Sequence, residues 1–194
     1  IRDRHYAGDF LEGDEWDTVM NYPFYLNLID LLADEKITVS QFVQNLGYLK
    51  GRLHKNCYPL MWNLIDSHDT ARFLHLCNDN KKKQHLAAAF QLLLPGMPMI
   101  YYGDEYAMPG ANDPDCRRGM YWDEEYQDKE MYEWYKRLIQ VRKSHACIVE
   151  GELAGSVTED EEGTVVLIRK NGEETIATVS YTHLRAHETL SDLV

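Results

Sequence analysis

Apolar positions along this chain fall into two rhythms that take turns. Over residues 24–34, Leu28, Ile29, Leu31 and Leu32 recur at helical spacing, which predicts a helix with one buried face. Residues 38–52 predict a second helix, opened by a Thr or Ser cap at Thr38 or Ser40. Residues 59–65 read Pro-Leu-Met-Trp-Asn-Leu-Ile. So continuous a run suits a strand covered on both faces, as in a parallel sheet. A helix over 82–94 follows and stops at Pro95-Gly96. Residues 97–102, Met-Pro-Met-Ile-Tyr-Tyr, predict the next buried strand. A loop rich in Gly, Pro and Asp occupies 109–123. Residues 129–145 predict a long amphipathic helix, with Met131, Trp134, Tyr135, Leu138 and Val141 on one side. Ahead of all these, residues 16–22 predict a short strand closed by Pro23.

Alternation of strands and helices means parallel βα units. Polar clusters stand where the strands end, which in a (β/α)8 barrel is where active sites are built. After Gly151 the texture changes. Residues 163–169 and 174–179 are β-rich, and Asn171-Gly172 between them is a hairpin turn signal. So few antiparallel strands need another surface to pack on. The last stretch, 181–194, breaks the strand pattern. It reads as a non-native tail to be left out of fold reasoning, the alternative being a natural C-terminal helix.

Composition narrows the partners. The 194 residues are 44% hydrophobic and 27% charged, which is globular. A net charge of -12 disfavours nucleic acid and anionic substrates, since phosphate binding needs clustered Lys and Arg. A neutral sugar is compatible with it. No apolar run reaches the ~20 residues of a membrane span. Cys57, Cys77, Cys116 and Cys147 show no CxxC spacing, so they read as free thiols in a reducing compartment. That leans the location to the cytoplasm.

Three clusters carry candidate chemistry. In Asn63-Leu64-Ile65-Asp66-Ser67-His68-Asp69 a buried strand delivers His68 and Asp69 to the strand-end face. A fixed carboxylate there can stabilise an oxocarbenium-like sugar, with an imidazole bonding the hydroxyls. The plainer alternative is an Asp capping the next helix beside a surface His. The run 96–105 offers Tyr101 and Tyr102 for core packing or for stacking on a pyranose. In it, Asp104 and Glu105 can cap or salt-bridge as readily as touch substrate. In Asn112-Asp113-Pro114-Asp115-Cys116-Arg117, Asp113 and Arg117 stand four apart. They can present an acceptor and a forked donor to vicinal hydroxyls, or form a local loop-holding salt bridge.

Together with residues 17–24 (Asp-Thr-Val-Met-Asn-Tyr-Pro-Phe), these runs resemble, in order and spacing, the catalytic barrel of the α-amylase family, glycoside hydrolase family thirteen. The Cys116-Arg117 run is most similar to the neopullulanase, cyclomaltodextrinase and maltogenic amylase branch. The resemblance covers roughly residues 1–180. It implies an α/β fold: residues 1–147 as the C-terminal part of a (β/α)8 TIM barrel, then 148–180 as the start of an antiparallel β domain. It matches Asp69 to the catalytic transition-state-stabilising aspartate. It matches His68, Asp113 and Arg117 to substrate-binding positions. The implied activity is retaining cleavage of α-1,4-glucosidic bonds in maltooligosaccharides, cyclodextrins or pullulan. Alternatives are a trehalose synthase or branching-type transferase, or a non-catalytic sugar-binding barrel. The family's nucleophilic Asp and acid/base Glu belong to strands that this chain does not contain, so the chain alone is expected to be inactive. An open part-barrel is also expected to leave a parallel edge uncovered. The resemblance implies no metal site or certain cofactor here, since calcium ligands known in the family lie mostly outside this stretch. Dimers in this branch form through an N-terminal domain, which makes a homodimer an expectation for a longer protein only.

Overall fold

The computed structural model describes residues 11, 12 and 15–182. Beyond residue 182, the expected tail lies outside the described residues. Three extended segments lie side by side and parallel. The middle one is β1 (Trp62–Asn63) and its neighbour is β2 (Met97–Pro98), with Trp62 opposite Met97 and Asn63 opposite Pro98. On the other flank Met20 bridges to Trp62 in parallel.

The expected strands are thus real but shorter than the apolar runs. Pro59 lies in a 3-10 turn over Tyr58–Leu60 that delays the strand start. The expected strand over 16–22 reduces to the bridge at Met20. Pro23 does not close a strand but sits in the first turn of helix α1 (Tyr22–Leu28), where its missing N–H costs nothing. Asn21 caps this helix by accepting from the Phe24 N–H. The helix then widens into a π turn over Ile29–Ala33. The strand face is also less covered than its composition predicts: Trp62 and Met97 are 42% and 44% exposed.

Helix α2 (Val39–Arg52) opens on a capping box, Thr38 and Gln41 each bonding the other's backbone N–H. A short helix α3 (Phe73–Leu76) leads to α4 (Lys81–Leu93), capped by Asn80. Helix α5 (Lys129–Ser144) is capped by Asp128, and α6 (Ala146–Glu150) leads into the second sheet. That sheet is an antiparallel meander of β3 (Glu152–Glu159), β4 (Thr164–Lys170) and β5 (Thr175–Tyr181). The Asn171-Gly172 turn joins β4 to β5, with Gly172 at φ 96°.

The central strand β4 points Val165, Leu167 and Arg169 inward at period two. Val165 and Leu167 join one core with Phe24 and Leu28 of α1, Phe42 of α2 and Phe90 of α4. The sheet therefore has the packing surface its few strands need. A second clasp is ionic on one side only. Arg142 donates to the carbonyls of Leu92 and Gly96 at 2.7 Å, and Arg169 to those of Leu93 and Gly151. Both guanidiniums thus meet the carboxyl end of α4, where bare carbonyls and the helix dipole favour a cation. Burial and the neighbouring Arg142 push the Arg169 guanidinium down to about 10.

Asn63 ties the parallel segments together. Its amide donates to Pro95 O at 2.9 Å, and its carbonyl accepts from Asn21 Nδ2 at 2.8 Å. Gly96, at φ 125°, lies so close that a Cβ would meet the Asn63 side chain at 2.5–2.8 Å. We expect Asn63→Ala to lower unfolding free energy by about 2–3 kcal/mol, because it orphans a buried donor and acceptor. Urea denaturation followed by circular dichroism would measure it; an unchanged midpoint would contradict this role.

Candidate functional site

Beyond β1 the chain turns sharply. The Ser67 N–H donates to Thr70 Oγ1, and the Asp69 N–H to Ser67 Oγ. This turn holds His68 and Asp69 at the surface, with side chains 61% and 54% exposed. His68 Nε2 stands 3.3 Å from Asp69 Oδ1. The loop after β2 brings Arg117 to the same place. Its Nη2 is 3.7 Å from Asp69 Oδ1 and 3.2 Å from Asp113 Oδ2, while its Nε donates to His68 O at 2.9 Å. The four residues singled out from sequence therefore form one cluster, drawn from two loops.

The local salt bridge weighed for Asp113 and Arg117 is present, and it is half-exposed. Such a pair contributes little to stability. What it does is hold a guanidinium between two carboxylates at an open strand-end surface. Cys116 is fully buried beneath, its thiol directed at the same His68 carbonyl.

Tyr101 packs against Arg72, whereas Tyr102 stays 38% exposed. The Arg72 guanidinium lies 4.0 Å from the Tyr101 ring centroid, and the Tyr102 hydroxyl donates to Arg118 O at 2.7 Å. Glu105 caps its own turn by accepting from the Gly103 N–H. Among the described residues, no group of three or more His, Cys, Asp or Glu gathers as a metal site.

Below the surface cluster lies a charged group in which Asp104 takes the salt-bridging option expected for it, with a partner, Arg72, that the sequence did not point to. Asp66, Arg72 and Asp104 are each 1% exposed. Asp66 accepts from the Phe73 N–H at 2.7 Å, and Asp104 Oδ1 lies 3.2 Å from Arg72 Nη1. Asp66 and Asp104 also bond each other. The oxygens available for that contact are Asp66 Oδ1 and Asp104 Oδ2, both buried without another partner, and a single shared proton satisfies both. Burial and the adjacent Asp66 hold Asp104 well above the usual carboxylate range. Burial raises Asp66 to about 6, opposed by the Phe73 N–H and Arg72. Glu105 adds to the field on Asp104, while burial, followed by the nearby Asp104, Asp66 and Glu105, holds the Tyr135 hydroxyl well above its usual range. Burial and the mutual repulsion of the two carboxyls favour a proton on the pair, and Arg72 opposes that by favouring the charged form. The available signal in the sequence was the Asp at position 66, four residues past the start of a strand; only the fold shows Asp104 arriving beside it.

A raised folded-state value has a definite sign. Between pH 4 and 6 the folded chain holds a proton on Asp66 that the unfolded chain has released, so this contribution to stability falls as pH rises through that window. Asp66→Asn mimics the protonated form. Its stability relative to the parent should be greatest at pH 7 and shrink toward pH 4, read from urea midpoints across pH. A difference independent of pH would contradict the shared-proton arrangement.

Residues 2–151 match the family model described as the α-amylase catalytic domain. A cyclomaltodextrinase of Geobacillus thermopakistaniensis is 40% identical over 172 residues, which is 89% of this chain and 29% of that protein. Neopullulanase 2 of Thermoactinomyces vulgaris is 42% identical over 149 residues, covering 77% of this chain and 26% of that protein. Among solved structures, the cyclic α-maltosyl-(1→6)-maltose hydrolase of Arthrobacter globiformis superposes with a TM-score of 0.85 at 30% identity, covering 90% of this chain and 39% of that one. The chain thus spans under a third of the length of these two curated relatives. The parallel strands and the sheet that follows are those of a TIM-barrel enzyme with a following β domain, and the chain belongs to the α-amylase family.

Proposed function

We propose that this chain is the substrate-holding C-terminal part of a retaining α-glucan hydrolase. Its bonds would be the α-1,4-glucosidic links of maltooligosaccharides, cyclodextrins or pullulan. The observation that carries this is the placement of Arg117 Nη2 between Asp69 and Asp113, with His68 alongside. The cluster is open to solvent, so a sugar can reach it. Asp113 and Arg117 offer an acceptor and a planar forked donor, the pairing that suits two neighbouring hydroxyls. His68 adds a further polar edge. Asp69 supplies negative charge where the anomeric carbon and ring oxygen become positive during cleavage. The relatives named cyclomaltodextrinase and neopullulanase support this substrate class.

Retaining cleavage also needs two carboxyl groups about 5 Å apart that flank the bond. The side chains that meet Asp69 are basic, His68 and Arg117. In this reading the chain binds and stabilises, and the nucleophile and acid/base come from strands it does not contain. We read residues 1–147 as barrel and 148–180 as β domain. The four buried free thiols support a reducing, cytoplasmic setting.

Saturation-transfer NMR with maltotriose on the 194-residue chain tests the binding role. We expect a signal that disappears in the double variant Asp113→Ala, Arg117→Ala. We also expect no release of glucose or maltose from maltotriose above the buffer rate. A signal that survives in the double variant, or hydrolysis by the chain alone, would overturn the assignment.

A further inference from the structure

The surface cluster rests on two loops, and one buried side chain touches both. Arg72 follows Asp69 by three residues, and its own N–H donates to Gly110 O at 2.9 Å. Its Nε donates to Cys116 O at 3.0 Å, and its Nη1 to Tyr102 O at 2.6 Å. Cys116 is the residue before Arg117. A closed circuit results: from Asp69 along the chain to Arg72, across its guanidinium to Cys116, on to Arg117, and back to Asp69 through the ion pair. We propose that Arg72 is the positioning residue that sets the distance between Asp69 and Arg117, and through them the sugar-binding geometry, a role that rests on the function proposed above.

Several observations converge on this. The Arg72 side chain is buried, so water does not compete for its donors. The two donors aim at different carbonyls from a rigid plane, which a lysine ammonium cannot reproduce. Its charge is balanced by Asp104 and Asp66, whose own positions are fixed by the turn after β2 and by the Phe73 N–H. Tyr101 and Tyr102 cover it, at 4.0 and 4.8 Å from their ring centroids. Gly110 is shaped to the same contact. A Cβ there would meet Asp115 O at 2.9 Å, Cys116 Cα at 3.0 Å and Arg72 Cγ at 3.1 Å. The loop can close on the guanidinium only with no side chain at that position.

The buried Cys116 thiol reports on this closure independently of any sugar. In the full 194-residue chain, Arg72→Lys should raise the rate of Cys116 alkylation roughly tenfold or more by local opening, leaving Cys77 and Cys147 protected. The Arg117 Nε–H resonance, bonded to His68 O in the parent, should shift or broaden away. Arg169→Lys, which perturbs a buried arginine elsewhere, should leave both readouts unchanged while lowering stability. If Arg72→Lys does not fold, Gly110→Ala pushes on the same contact with the guanidinium retained and should open Cys116 in the same way. Unchanged Cys116 reactivity in whichever variant folds, or equal opening of all four thiols, would overturn the proposal. A maltotriose arm separates the two readings. Loss of the sugar signal in Arg72→Lys but not Arg169→Lys supports the positioning role, and its retention overturns it. If the parent itself gives no maltotriose signal, the sugar-binding reading fails, while thiol and Arg117 readouts still decide whether Arg72 sets the loops.

Discussion

A cation removed from water must find its partners in the protein, and this requirement organises the strand-end region. Arg72 cannot be solvated where it lies. It is matched instead by the Asp66–Asp104 pair and by two backbone carbonyls. The partners come from three separate turns. Asp66 follows β1, Tyr102 and Asp104 follow β2, and Cys116 belongs to the long loop beyond. The contacts of one guanidinium therefore fix three pieces of backbone at once. The exposed residues above inherit their spacing from that arrangement, since half-exposed ion pairs are too weak to set it themselves.

The architecture was legible because its signals are local. Helical spacing at Leu28, Leu31 and Leu32, the Thr38 cap and the Pro95-Gly96 stop each depend on a few neighbouring residues, and each appears in the fold. Strand length was less legible. An apolar run such as 59–65 records burial, whereas the ladder needs a neighbour's hydrogen bonds, and Pro59 diverts the first part into a 3-10 turn. Pro23 was misread because a proline after an extended stretch serves equally to end a strand or to start a helix.

The candidate site divides in the same way. His68 with Asp69, and Asp113 with Arg117, are neighbours in sequence, so their pairing could be anticipated. The contact of Arg117 with Asp69 joins positions 48 residues apart and needed the fold. Salt-bridging was anticipated for Asp104, but its grouping with Asp66 and Arg72 was out of reach for a deeper reason. A buried ion cluster is specified by where three turns meet, and nothing in the composition of any one turn marks it. Tyr101 illustrates the cost: without Arg72 lying over its ring, an aromatic near a strand end invites a sugar-stacking role.

The junction between the parallel segments and the antiparallel sheet has its own consequence. Val165 and Leu167 lie in the same apolar core as Phe42 and Phe90, and Arg142 and Arg169 both grip the carboxyl end of α4. Peeling the sheet away would bare that core and strand two guanidiniums beside open carbonyls at the same moment. Barrel part and sheet are consequently joined through one shared core and not merely through the chain that links them.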